Sequence, residues 1–148
     1  MKKVIYSSSE KETKELARDI AFKIVGSEPK RAVIINLSGD LGAGKTVFTK
    51  GFLASLGVKS RVTSPTFVIS KRYGVKKGGF KNVFHFDCYR VRDPHELEVL
   101  GFKDMISDPR NIILIEWPEN AGRLSPDFKI LIDHLPQEKG RRITITGK

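Results

Sequence analysis

The sequence predicts an α/β fold, a mixed β-sheet flanked by helices, and three observations carry that reading. The run Ala32-Val33-Ile34-Ile35-Asn36-Leu37 is nearly all apolar and β-branched, as a strand covered on both faces requires. It passes directly into a glycine-rich turn and then a segment whose Phe48, Phe52, Leu53 and Leu56 recur at helical spacing. A second apolar run, residues 111–116, is followed by segments that alternate apolar with polar, the mark of half-exposed strands. A chain of 148 residues has the length of one domain, so 1–148 is expected to fold as a single unit.

In chain order, the first strand is expected at residues 3–6. Ser9 and Glu12 form a capping box that opens a helix whose Leu16, Ala17, Ile20, Ala21 and Ile24 share one face, ending near Gly26. After the strand at 32–37 and its turn, Gly57 sits where the second helix should stop. Residues 67–73 and 82–87 read as an antiparallel hairpin around Lys76-Lys77-Gly78-Gly79. Asp93 caps a short helix with Pro94 at its first position. Strand 111–116 follows, then Trp117-Pro118, and residues 128–135 and 141–146 close the sheet.

Composition narrows the function. No apolar stretch approaches the roughly 20 residues that span a bilayer, and no signal-peptide pattern opens the chain, so a cytoplasmic protein is expected. The lone Cys88 allows neither an internal disulfide nor a thiolate cage, and the three histidines lack metal-ligand spacing. The net charge of +10 favours a polyanionic partner. It is unevenly spread: residues 59–81 carry Lys59, Arg61, Lys71, Arg72, Lys76, Lys77 and Lys81 with no acid among them. That patch suits RNA phosphate or an acidic protein, or it is a set of solvated lysines guarding a sheet edge.

The chemistry concentrates at Gly39-Asp40-Leu41-Gly42-Ala43-Gly44-Lys45-Thr46, which fits GxxxxGK(S/T) between a strand and a helix. Such a turn aims backbone N–H groups and a helix N-terminus at a phosphate chain. Lys45 would reach the outer phosphates and the Thr46 hydroxyl would ligate magnesium. The metal also needs a carboxylate, and the attacking water needs a group to orient it. Glu116 and Asp87, each ending an apolar strand, are the candidates, and spacing alone leaves their division of labour open. Ser64 and Thr66, flanking Pro65, fall where P-loop proteins place a phosphate-sensing switch, and their spacing equally fits a plain turn entering a strand. Tyr89 and Arg90 follow Asp87, and Trp117 adjoins Glu116.

The series GDLGAGKT, SPTF, HFDCYR, Glu96-Leu97 with Leu100-Gly101, and IEWPE resembles the TsaE (YjeE) family in order and spacing across essentially the whole chain. The resemblance implies a monomeric P-loop ATPase with weak intrinsic activity, using ATP and Mg2+. It further implies docking onto TsaD and TsaB, which place threonylcarbamoyl on a tRNA adenosine. On this resemblance residues 39–46 with Val47 form the nucleotide loop, Ser64 and Thr66 belong to the first switch, and Glu116 is the Walker B acid. His85, Asp87, Tyr89 and Arg90 match the family's HxDxYR element. Val47 replaces an expected second threonine, while Thr46 keeps the metal role. ATP rather than GTP rests on the resemblance, since no guanine-specifying NKxD is present. Two other readings remain open: a small-molecule kinase, although no segment is long enough for an arginine-bearing lid, and an RNA-binding module that holds ATP structurally.

Overall fold

The computed structural model describes residues 1–40, 42–63, 65, 69–136 and 140–147. Among the described residues seven strands form one sheet: β1 (Lys2–Ser7), β2 (Val33–Ser38), β3 (Ser70–Lys77), β4 (Phe80–Asp87), β5 (Asn111–Glu116), β6 (Phe128–His134) and β7 (Arg141–Gly147). Their spatial order is β1-β7-β6-β2-β5-β4-β3. The central strands β6, β2, β5 and β4 are parallel, and antiparallel partners sit at both margins, so the sheet is mixed as expected.

Helices α1 (Glu10–Val25) and α2 (Lys45–Ser55) cover one face, and α3 (His95–Val99) and α4 (Phe102–Ser107) cover part of the other. The apolar stripe of α1, Leu16, Ala17, Ile20, Ala21 and Ile24, is buried as its spacing requires. Its start is a capping box with one shift. Ser9 Oγ accepts the Glu12 N–H at 3.2 Å, but the Glu12 carboxylate reaches back to the N–H of Ser8, at 2.9 Å, rather than to that of Ser9. Strand β5 is buried at every position because both helical layers close over it, which explains its lack of alternation.

The differences from expectation are local. The hairpin strands run up to the turn, leaving only Gly78-Gly79 between β3 and β4, so Lys76 and Lys77 belong to a strand. The expected start of β3 at Phe67 lies outside the described residues. Helix α4, which follows Gly101, was not anticipated. Six residues are too few for periodicity to register, and it is held by burying Phe102 against Phe86 at 5.1 Å between ring centroids.

Candidate functional site

The register brings three strand ends together. Glu116, the last residue of β5, lies opposite Leu37 of β2 on one side and Asp87 of β4 on the other. The residue following β2 is Gly39, with φ 149°, where a Cβ would run into the Ile132 carbonyl oxygen of β6. Only glycine allows the chain to leave the sheet there.

Helix α2 starts at Lys45 with no side-chain cap and no acid in its first turn. Its free N–H groups and positive dipole end are therefore available to an anion. Lys45 is buried, which is uncommon for lysine, and its ammonium is held three ways. It donates to the Gly39 carbonyl at 2.8 Å, lies 3.9 Å from Glu116 Oε1, and sits 4.6 Å above the Trp117 ring. Trp117 reaches that place because its backbone turns left-handed just past Glu116 (φ 56°), a conformation costing a non-glycine residue about 1–2 kcal/mol. Tyr89 packs beside Trp117, the ring centroids 4.9 Å apart.

Glu116 is buried and its two oxygens are divided. Oε1 faces Lys45, while Oε2 accepts a 2.7 Å hydrogen bond from His85 Nε2, itself only 2% exposed. With a carboxylate as acceptor Nε2 carries the hydrogen, and His85 Nδ1 is left buried without a partner among the described residues. His85 and Asp87 project to the same sheet face, two residues apart on β4, so the histidine lies one step below the acid. Asp87 is buried, and its Oδ1 accepts the Tyr89 N–H at 3.0 Å, fixing the turn that follows β4.

The structure thus gathers Gly39, Lys45, His85, Asp87, Glu116 and Trp117 at one sheet edge, with Tyr89 at the rim. Thr46 is exposed in the first turn of α2, Val47 is partly buried, and Asp40, Gly42 and Arg90 are exposed. Leu41, Ser64 and Thr66 lie outside the described residues. The hairpin tip with Lys76 and Lys77 is not part of this site. Strand β4 runs from the tip to Asp87 over 8 residues, about 26 Å at the usual rise.

Sequence reasoning missed Arg141. It opens β7, and its Nε donates to the Ala43 carbonyl of the glycine loop at 2.8 Å, bringing a second cation to the loop from 98 residues away. Nothing local to Arg141-Arg142 signals this; it follows from the pairing of β7 with β6 and β1.

Two depressions flank the loop. One, of about 180 Å³, is lined by Ser38, Gly39, Lys45, Trp117 and Glu119 among others. The other, of about 340 Å³, is rich in hydroxyls, lying between Ser7, Ser8, Ser9 and Thr13 on one side and Gly42, Gly44 and Arg141 on the other. Among the described residues no three His, Cys, Asp or Glu side chains gather to hold a metal ion by themselves. The oxygens at hand, the Thr46 hydroxyl and the carboxylates of Glu116 and Asp87, are hard donors that suit magnesium completed by water and phosphate. Cys88 beside them is inert: burial first, then the neighbouring Asp87, Glu119 and Glu116, pushes its thiol up to about 12. No helix among the described residues is long and apolar enough to cross a membrane.

The family model described as threonylcarbamoyl adenosine biosynthesis protein TsaE matches residues 7–143. Proteins named tRNA threonylcarbamoyladenosine biosynthesis protein TsaE are similar along most of the chain. That of Haemophilus influenzae is 39% identical over 119 residues, 80% of this chain and 73% of the relative. That of Aquifex aeolicus is 37% identical over 148 residues, 99% of this chain and 97% of the relative. The crystal structure of Bacillus subtilis YdiB superposes with a TM-score of 0.73 at 29% identity, covering 99% of this chain and 86% of that one.

Proposed function

The chain belongs to the TsaE family, and from that premise we propose that it is a magnesium-dependent ATPase that serves threonylcarbamoyladenosine modification of tRNA by acting on a TsaD–TsaB complex. The observation that carries the reading is the buried Lys45. Its ammonium sits between the Gly39 carbonyl and the Glu116 carboxylate, at the mouth of an uncapped helix. A buried cation beside an uncapped helix N-terminus is arranged to receive phosphate, and phosphate oxygens would replace the Gly39 carbonyl as its partner.

On this reading the phosphate chain lies along residues 39–46. The nucleoside end takes the hydroxyl-lined depression beside Arg141, whose volume is within the range of small-molecule sites. Thr46 and one of the two acids would hold magnesium, which when bound neutralises charge on the phosphate oxygens. Glu116 or Asp87 orients the water that attacks the terminal phosphoryl group, and Lys45 stabilises the charge that develops on it. Hydrolysis resets the partner complex, while the transfer to tRNA is the partners' chemistry.

The test is ATP hydrolysis with and without magnesium, by the chain alone and then with its cognate TsaD–TsaB pair and tRNA. Slow turnover that changes on adding the pair is expected. Lys45→Ala should lose nucleotide binding or turnover, and Glu116→Gln should bind ATP but not hydrolyse it. A phosphorylated metabolite in place of free phosphate would establish a kinase instead. No effect of the pair on an active ATPase would reject the proposed partners.

A further inference from the structure

At the pole opposite the glycine loop, a groove of about 950 Å³ runs between the end of α2 and the β3–β4 hairpin. Its rim carries Lys76, Lys77 and Lys81, and no acid among the described residues lines it. All seven cations of residues 59–81 lack a carboxylate within ion-pair distance among the described residues, whereas Arg31, Arg110 and Arg142 each have one. Three of them bond neutral oxygens: Lys71 to Thr63 Oγ1, Arg72 to Asn82 Oδ1 and Lys77 to the Ser55 carbonyl. Lys81 also adds to the positive field at Asp108, whose carboxyl is held at about 2, first by the hydrogen bond from the Arg110 side chain.

A solvated turn would leave these lysines on a loose tip. Here the tip is fixed. Gly78, with φ 60°, is packed so closely on α1 that a Cβ would lie 2.7 Å from the Val25 carbonyl oxygen, and Lys77 is tied to the end of α2. The rim therefore presents three exposed lysines on a two-stranded ribbon held against α1 and α2, beside the side-chain-free backbone of Gly57, Gly74 and Gly79. Such an arrangement lets a phosphate backbone approach closely without demanding side-chain complementarity.

We infer that the β3–β4 hairpin tip is a docking site for the phosphate backbone of RNA. An acidic protein surface would be expected to meet hydrogen-bonding or apolar anchors between the charges. The exposed rim offers lysine and glycine, with Val75 and Phe80 buried beneath it. The inference does not depend on nucleotide turnover, because the tip lies at the far end of β4 from Lys45.

The test is fluorescence anisotropy of a labelled, unmodified tRNA transcript titrated with the full chain across a salt series. The tip variant is Lys76→Gln, Lys77→Gln and Lys81→Gln together. A charge-matched control is Lys2→Gln, Lys3→Gln and Lys129→Gln, on and near the opposite sheet edge. The tip variant should bind roughly tenfold or more weakly, with the slope of log K against log salt reduced by about 2 to 3. The control should stay within about threefold of the parent, since its cations lie away from the bound backbone. Equal weakening of both variants would overturn the inference, leaving only net charge. Displacement of the tRNA by poly-L-glutamate of matching charge as effectively as by unlabelled RNA would also overturn it, in favour of an acidic protein. Unchanged melting temperatures and unchanged ATP binding in both variants separate these outcomes from misfolding and from any failure of the ATPase reading.

Discussion

Replacing His85 by leucine isolates the contact that divides the two oxygens of Glu116. The histidine is 2% exposed and donates across 2.7 Å to Oε2, so the substitution leaves a buried carboxylate oxygen without its donor. Leaving a buried acceptor unsatisfied costs about 1–3 kcal/mol, more for a charged group. Leucine is close to histidine in volume and removes the orphaned Nδ1, so the lower half of that range is expected. For a chain of this size each 1 kcal/mol moves the melting temperature by about 2–4 °C, giving a fall of about 2–8 °C. Freed from His85, the carboxylate turns toward Lys45, now 3.9 Å from the other oxygen, and no longer holds one orientation. A loss of about 1.4–2.8 kcal/mol at the transition state would slow hydrolysis roughly tenfold to a hundredfold, with ATP affinity nearly unchanged. The pair of assays is a circular-dichroism melt and steady-state ATP hydrolysis, run also on His85→Gln, whose amide can donate to the same oxygen. His85→Gln should recover most of both losses. If His85→Leu melts and turns over like the parent, the 2.7 Å bond contributes nothing, and if glutamine fails as badly as leucine, ring shape rather than hydrogen donation is what matters.

Other outcomes follow from the same geometry. Trp117 is the sole tryptophan and lies 4.6 Å from the Lys45 ammonium, so ATP that draws Lys45 away should change its emission in the parent but not in Lys45→Ala. Gly39→Ala forces a Cβ against the Ile132 carbonyl at a left-handed backbone, and should abolish ATP binding by calorimetry while lowering the melting temperature. Because the Cys88 thiol is raised to about 12 in the fold, the unfolded chain gives up that proton first as pH rises past about 9. Stability contributed by the protonated thiol is complete below that point and falls as pH climbs toward 12. Urea unfolding across this range should therefore lose stability more steeply in the parent than in Cys88→Ala.

Much of the fold was readable because it is written in short-range pattern. The 3.6-residue stripe of α1, the apolar runs of β2 and β5, and the alternation of β6 and β7 each record how many faces of an element are covered, a property of neighbours within one element. The glycine loop was equally legible, since its turn, its lysine and the helix behind it are contiguous. Where pattern failed, the element was short, as with α4, or its limits were set by a partner, as with the hairpin strands that extend to Gly78-Gly79.

The candidate site divides along the same line. Sequence alone determined that Lys45 and Thr46 open a helix behind a glycine turn and that Glu116 and Asp87 end strands, because each of these is a local fact. Only the tertiary structure decided that β4, β5 and β2 lie side by side in a register that sets Asp87 and Leu37 against Glu116. It alone turned His85 onto one carboxylate oxygen and brought Arg141 to the Ala43 carbonyl. Strand order depends on which apolar faces can be buried together, an energy summed over segments many residues apart. Contacts between side chains on different strands inherit that non-local choice, so they became visible only once the sheet was assembled.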